Sequence, residues 1–162
     1  MPLFSQAQKT VLYNQGLELE RHFQRDKIIW TSFSNEARVE VEVVCKNGKK
    51  YILRVCISPD FPNSCPPMVI ISPDGVLKRA NGSLLGLASR QDHVLTSKDG
   101  YTRICYFRPG TWMGNKTLYQ VIKKGLVWLE AYELHLQTGN SIDLFIKAED
   151  IVFHDGVPLH LD

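Results

Sequence analysis

Apolar and polar residues alternate most regularly in RVEVEVVC, residues 38 to 45, where Val39, Val41 and Val43 share one side of an extended chain. This predicts a strand. Tyr51 to Ser58 predicts its partner, because Lys46-Asn47-Gly48-Lys49 between them is a hairpin turn whose Asn-Gly accommodates positive φ. Upstream, IIWTSF at residues 28 to 33 reads as a further strand. Residues 5 to 24 carry a helical period instead, with Leu12, Leu19 and Phe23 on one face and Glu18, Glu20 and Arg21 around the other. After the hairpin, prolines break the pattern before a short apolar strand, Met68 to Ser72, which Pro73-Asp74-Gly75 ends. Short turns join these strands, so they predict a four-stranded antiparallel meander rather than a βαβ wind.

Residues 76 to 111 show little periodicity and predict a long irregular segment; a stretch of that length without its own elements usually serves function. A long helix is then expected from an Asn115 cap to about Gln137, burying Leu118, Val121, Ile122, Leu129, Tyr132 and Leu136, with Gly139 as its stop. A short helix at 141 to 149 and an irregular tail to Asp162 complete the prediction. The fold class expected is α+β in a single domain over residues 1–162, with a core of about 5–137 and a C-terminal extension of 138–162.

Composition agrees with that picture. The 162 residues are 44% hydrophobic and 22% charged, the profile of a globular domain able to bury a core. Apolar runs are too short to span a membrane, and MPLFSQAQKTVLYNQ lacks the basic-then-apolar order of a signal peptide, so a cytoplasmic location is expected. A net charge of +2 makes no case for nucleic acid, and Lys46, Lys49 and Lys50 flank the hairpin turn as a solvated cluster.

The four cysteines, Cys45, Cys56, Cys65 and Cys105, are spaced by 11, 9 and 40 residues, which matches no common zinc pattern. Cys45 and Cys56 fall in predicted strands and read as structural, and Cys65 precedes a double proline and reads as a loop residue. Cys105 sits within GYTRICYFRPGTW, residues 100 to 112, between a glycine and a Pro-Gly break. Its local sequence fits an inert core residue or a nucleophile at the core's edge. His22, His135, His154 and His160 are scattered over different elements and suggest no metal site.

Phe61-Pro62, then Pro66-Pro67 and the strand Met68-Val69-Ile70-Ile71, resemble the aromatic-proline, proline-proline, strand signature of the ubiquitin-conjugating-enzyme family. Asp99-Gly100 followed by Ile104-Cys105 resembles the run into that family's active-site cysteine; Trp112 stands seven residues later, and Thr117-Leu118 opens the helix behind it. The resemblance covers roughly residues 5 to 137 and implies the ubiquitin-conjugating-enzyme-like fold. The eukaryotic His-Pro-Asn triplet is replaced here by His93-Val94-Leu95, twelve residues before Cys105, so the supporting Asn is missing. Trp128 to Tyr132 with Thr138-Gly139 resembles the helix end of the short bacterial members, encoded with ubiquitin-like conjugation operons or antiphage CBASS systems.

That resemblance implies an acyl transferase of bacterial antiphage defence. Cys105 would carry a protein C-terminal tail, from a ubiquitin-like protein or a CD-NTase-type cyclic-oligonucleotide synthase, as a thioester for transfer to an amine. A separate activating enzyme would supply the thioester, and no metal or other cofactor, nucleic acid or membrane is expected. Such a thiol must be reachable and at least transiently a thiolate, and Lys98, Arg103 and Arg108 are the cations expected to lower its pKa. Oxyanion donors are left open among backbone N–H groups beside Cys105, the hydroxyls of Thr96 and Thr102, and His93. Trp112, Thr96 and Arg103 are the candidate substrate-side residues, Trp112 as a packing anchor under the site. His93 is expected to orient the approach to Cys105. A Cys–His–Asp hydrolase using the adjacent Asp92 is the less natural arrangement, since neighbouring residues seldom converge on one nucleophile. A catalytically dead binding module of the same fold is the remaining alternative.

Overall fold

In a computed structural model the chain is described at residues 4–146, apart from Ser34 and Pro109. Helix α1 (Gln6–His22) is followed by strands β1 (Ile28–Ser32), β2 (Ala37–Val44), β3 (Lys50–Ile57), β4 (Met68–Ser72), β5 (Val94–Lys98) and β6 (Tyr101–Ile104). Helices α2 (Leu118–Thr138) and α3 (Ile142–Phe145) close the order. The class is therefore α+β, with an N-terminal helix, an antiparallel sheet and a long helix. Among the described residues the sheet has six strands, ordered β1-β2-β3-β4-β6-β5, rather than the four expected.

The two additional strands lie in the segment expected to be irregular. They are only five and four residues long, so alternation barely registers within them. Asp99 and Gly100 join them with φ of 56° and 83°. Positive φ at both central residues is the geometry of a type I′ hairpin turn, and Asp-Gly is among its strongest signals. Read only as a lead into Cys105, that dipeptide conceals a hairpin.

Val39, Val41 and Val43 are fully buried on the inner face, paired with Val55, Leu53 and Tyr51 of β3. Ion pairs cover the outer face, including Arg54 Nε to Glu40 at 2.8 Å and Lys27 Nζ to Glu42 at 3.0 Å. Helix α2 lies across the inner face and buries Leu118, Val121, Ile122, Leu129 and Tyr132 in one core with the strands, with Leu136 packed at its margin. Its cap is Thr117 rather than Asn115: the Thr117 hydroxyl accepts from Gln120 N, and the Gln120 side chain accepts from Thr117 N. Gly139 ends the helix at φ 77°, as the pattern implies. The predicted short helix is present at 142–145, and the expected tail falls outside the described residues.

Residues 78–92 take their shape from α2. Tyr132 donates its hydroxyl to Lys78 O at 2.7 Å, His135 Nε2 accepts from Ala80 N at 3.0 Å, and Trp128 Nε1 donates to Asp92 O at 2.9 Å. No local period is needed where helix side chains satisfy the loop's backbone. This fastening delivers His93 to the start of β5. No helix among the described residues is long and apolar enough to cross a membrane.

Candidate functional site

Cys105 is the first residue beyond β6, and His93 immediately precedes β5. Val94 pairs with Ile104, so the antiparallel register sets His93 opposite Cys105, and Cys105 N–H donates to His93 O at 2.9 Å. Both residues line an open cleft of about 790 Å³, together with Arg90, Phe107, Arg108 and Asp143. Cys105 is half-buried, whereas Cys45 and Cys56 are buried. Cys45 lies one residue past β2 rather than inside the strand, and Cys65 is a half-buried loop residue.

Burial pushes the Cys105 thiol up from its ordinary value, and among the described residues Arg103 opposes it. Of the three cations expected to lower it, Arg103 does so, and Lys98 and Arg108 do not contribute. Lys98 is committed at the other end of β5, 3.0 Å from Asp99 and 4.0 Å from Glu36, while Arg108 is an exposed residue of the cleft wall. Arg103 stands on the outer sheet face between Val69 and Leu95, its Nε buried with no hydrogen-bond partner among the described residues, and is not among the cleft-lining residues. Among the described residues the thiol makes one hydrogen bond, a long one of 3.6 Å to Phe107 O.

Of the residues expected at the site, the structure therefore brings Cys105 and His93 together. Thr96 is exposed on β5 and does not line the cleft. Thr102 faces the core and its hydroxyl accepts from Leu77 N at 2.8 Å, and the Cys105 N–H is taken by His93 O. Burial holds Thr102 away from the cleft and the Cys105 N–H is already engaged, so neither is placed to donate to an oxyanion. Trp112 anchors the segment after Cys105: its Nε1 donates to Pro62 O at 2.7 Å, and its ring meets Phe107 edge-on at 5.0 Å.

Asp92 does not serve His93. Its carboxylate accepts from Arg79 Nη2 at 2.9 Å and Nε at 3.1 Å. The carboxylate that does reach His93 is Asp143, on α3, with Oδ1 2.6 Å from His93 Nε2. Sequence reasoning missed Asp143 because it lies fifty positions away on a helix of four residues, where no motif marks it. His135 is structural: besides Ala80, its Nδ1 donates to Asn140 O at 2.6 Å. His22 stacks on Tyr119 with ring centroids 3.7 Å apart, and His154 and His160 lie outside the described residues.

Comparison of the chain with protein-family models, with curated proteins and with solved structures gave no match.

Proposed function

We propose that the protein is an acyl carrier of the ubiquitin-conjugating kind, in which Cys105 takes the carboxyl terminus of a protein as a thioester and passes it to an amine. The observation that carries this reading is the setting of Cys105: a half-buried thiol at the end of a strand, opening into a cleft with two arginines on its wall. The cleft is of a size that accepts a peptide end, within the range of about 300–1,000 Å³ usual for ligand sites. Arg90 and Arg108 line the same cleft, and in place of the absent Asn one of them would have to turn toward the carbonyl to receive a tetrahedral oxyanion. The element order supports the same reading, since a helix and an antiparallel meander precede the cysteine and a long helix backs the sheet. In this reading the fold is the ubiquitin-conjugating-enzyme-like one and the setting is cytoplasmic bacterial antiphage defence. The donor is a ubiquitin-like protein or a CD-NTase-type synthase charged by a separate activating enzyme.

Coexpression with the proteins encoded beside it tests this. Wild type should yield a covalent adduct that dithiothreitol removes, because a thioester exchanges with thiols. Cys105→Ser should yield an ester that survives dithiothreitol and yields to mild alkali, and Cys105→Ala should yield none. An adduct formed equally by Cys105→Ala would place the bond elsewhere and end the proposal. The His93–Asp143 contact also favours a second reading, a cysteine hydrolase. In that case wild type would cleave a preformed conjugate, Cys105→Ala would leave it intact, and no amine product would form.

A further inference from the structure

We infer that Asp143 completes a proton relay with His93 at Cys105: the carboxylate holds the imidazole with Nε2 protonated, and Nδ1 is the base for the reacting thiol and amine. The inference rests on the acyl-carrier reading and assigns a positioning residue to it.

An ionised carboxylate only accepts hydrogen bonds, so in the neutral imidazole the nitrogen 2.6 Å from Asp143 Oδ1 carries the proton and the lone pair sits on Nδ1. The imidazole is held firmly, its side chain 12% exposed against 61% for the carboxylate. Asp143 is fastened as well, because its N–H donates to Gln91 O at 3.0 Å, two residues before His93. His93 itself adopts φ 51°. That left-handed conformation is disfavoured for a non-glycine residue, and such residues cluster at functional sites. Here the Cys105 N–H on the His93 carbonyl pins it. The thiol has need of a base, being half-buried and donating over a long 3.6 Å to Phe107 O.

On transfer the amine nitrogen attacks the thioester carbonyl. As the N–C bond forms, its proton passes to His93 Nδ1. Collapse of the tetrahedral intermediate breaks the C–S bond, and the imidazolium returns the proton to the departing sulfur, giving an amide and a free thiol. During loading the same nitrogen takes the Cys105 proton as Sγ attacks the carbonyl of the donor thioester; the donor's C–S bond breaks and the imidazolium returns the proton to the departing thiol.

The test loads the full chain with a glycine-ending peptide thioester and follows single-turnover discharge to free lysine. H93Q should slow discharge about 10²-fold, the usual contribution of a general base. D143N should slow it about tenfold, and D143E, which keeps the carboxylate, should recover most of the rate. Because Asp143 acts through His93, H93Q/D143N should be no slower than H93Q. Wild-type discharge by D143N, or losses that multiply in the double variant, would overturn the relay. A second readout needs no acyl donor: alkylation of Cys105 by iodoacetamide at pH 7, followed by mass spectrometry at that residue. It should slow in both H93Q and D143N, and equal rates in all three proteins would refute the relay. Should wild type accept no acyl group from the peptide thioester, the carrier reading fails, and the alkylation series still decides the relay.

Discussion

A thiol reacts as its thiolate, so burial protects a cysteine twice, by excluding the reagent and by disfavouring the charged form. The four cysteines differ sharply on both counts. Cys45 is pushed up to about 12 by burial and the Glu130 and Glu133 carboxylates, and Cys56 to about 11 by burial and Glu36. Cys65 is half-buried, its thiol donating to the Tyr106 hydroxyl at 3.3 Å. Cys105, raised by burial but opposed by Arg103 and facing the cleft, should therefore label first when the native protein meets a small alkylating reagent at pH 8. Cys45 and Cys56 should label only on unfolding. Peptide mapping over time checks the order, and equal protection of Cys105 would return it to the core.

At the scale of elements, the β2–β3 hairpin is fastened to α2 by two carboxylates. Glu133, buried on the helix, accepts from the Tyr51 hydroxyl and from Asn47 Nδ2 at 2.8 Å, and lies 3.5 Å from Lys49 Nζ. Glu130 accepts from the backbone N–H of Lys46 at 3.1 Å. Glu133→Ala would leave the fully buried Tyr51 hydroxyl without an acceptor, at a cost of about 2–4 kcal/mol. Glu133→Gln, which keeps one acceptor oxygen, should lose less than half of that, and Glu133→Ala with Tyr51→Phe should recover part of it. Chemical denaturation of the variants checks the ranking; equal losses from Ala and Gln would show that charge, rather than hydrogen bonding, holds the hairpin.

Across the whole molecule, the distance between α2 and the sheet is set at Gly125. A Cβ built there would come within 2.7 Å of Leu53 Cδ1 and 2.9 Å of Met68 Sδ, both on side chains with no exposure. Glycine in mid-helix gives up helix propensity, and here the return is close approach of helix and sheet. Gly125→Val should destabilise by about 2–3 kcal/mol through overpacking, lowering Tm by roughly 5–10 °C. Gly125→Ala should be milder, because the gain in helix propensity offsets part of the strain. An unchanged Tm for Gly125→Val would mean that the helix can lift without loss. Displacing α2 would also loosen residues 78–92, which Trp128, Tyr132 and His135 hold, and with them the placing of His93.

What was legible in the chain is what short-range pattern encodes. Val39, Val41 and Val43 alternate because one face of a strand is buried. Asn47-Gly48 turns where only positive φ will serve, and the spacing from Leu118 to Leu136 follows the period of a helix lying on a sheet. The local sequence around Cys105 leaves it open between core residue and nucleophile, and the resemblance of its flanking motifs makes it the candidate. The β5–β6 hairpin escaped notice because its strands are too short to establish a period, although Asp99-Gly100 marked the turn. The site's electrostatics were beyond reach from spacing alone. Lys98, seven positions from Cys105, is neutralised by Asp99 and Glu36, and Asp92, adjacent to His93, is claimed by Arg79. Asp143, fifty positions from His93, meets it at 2.6 Å. Coulomb and hydrogen-bond energies depend on distances in space, and in a folded sheet those are set by register, by α2 and by the docking of α3 rather than by order along the chain.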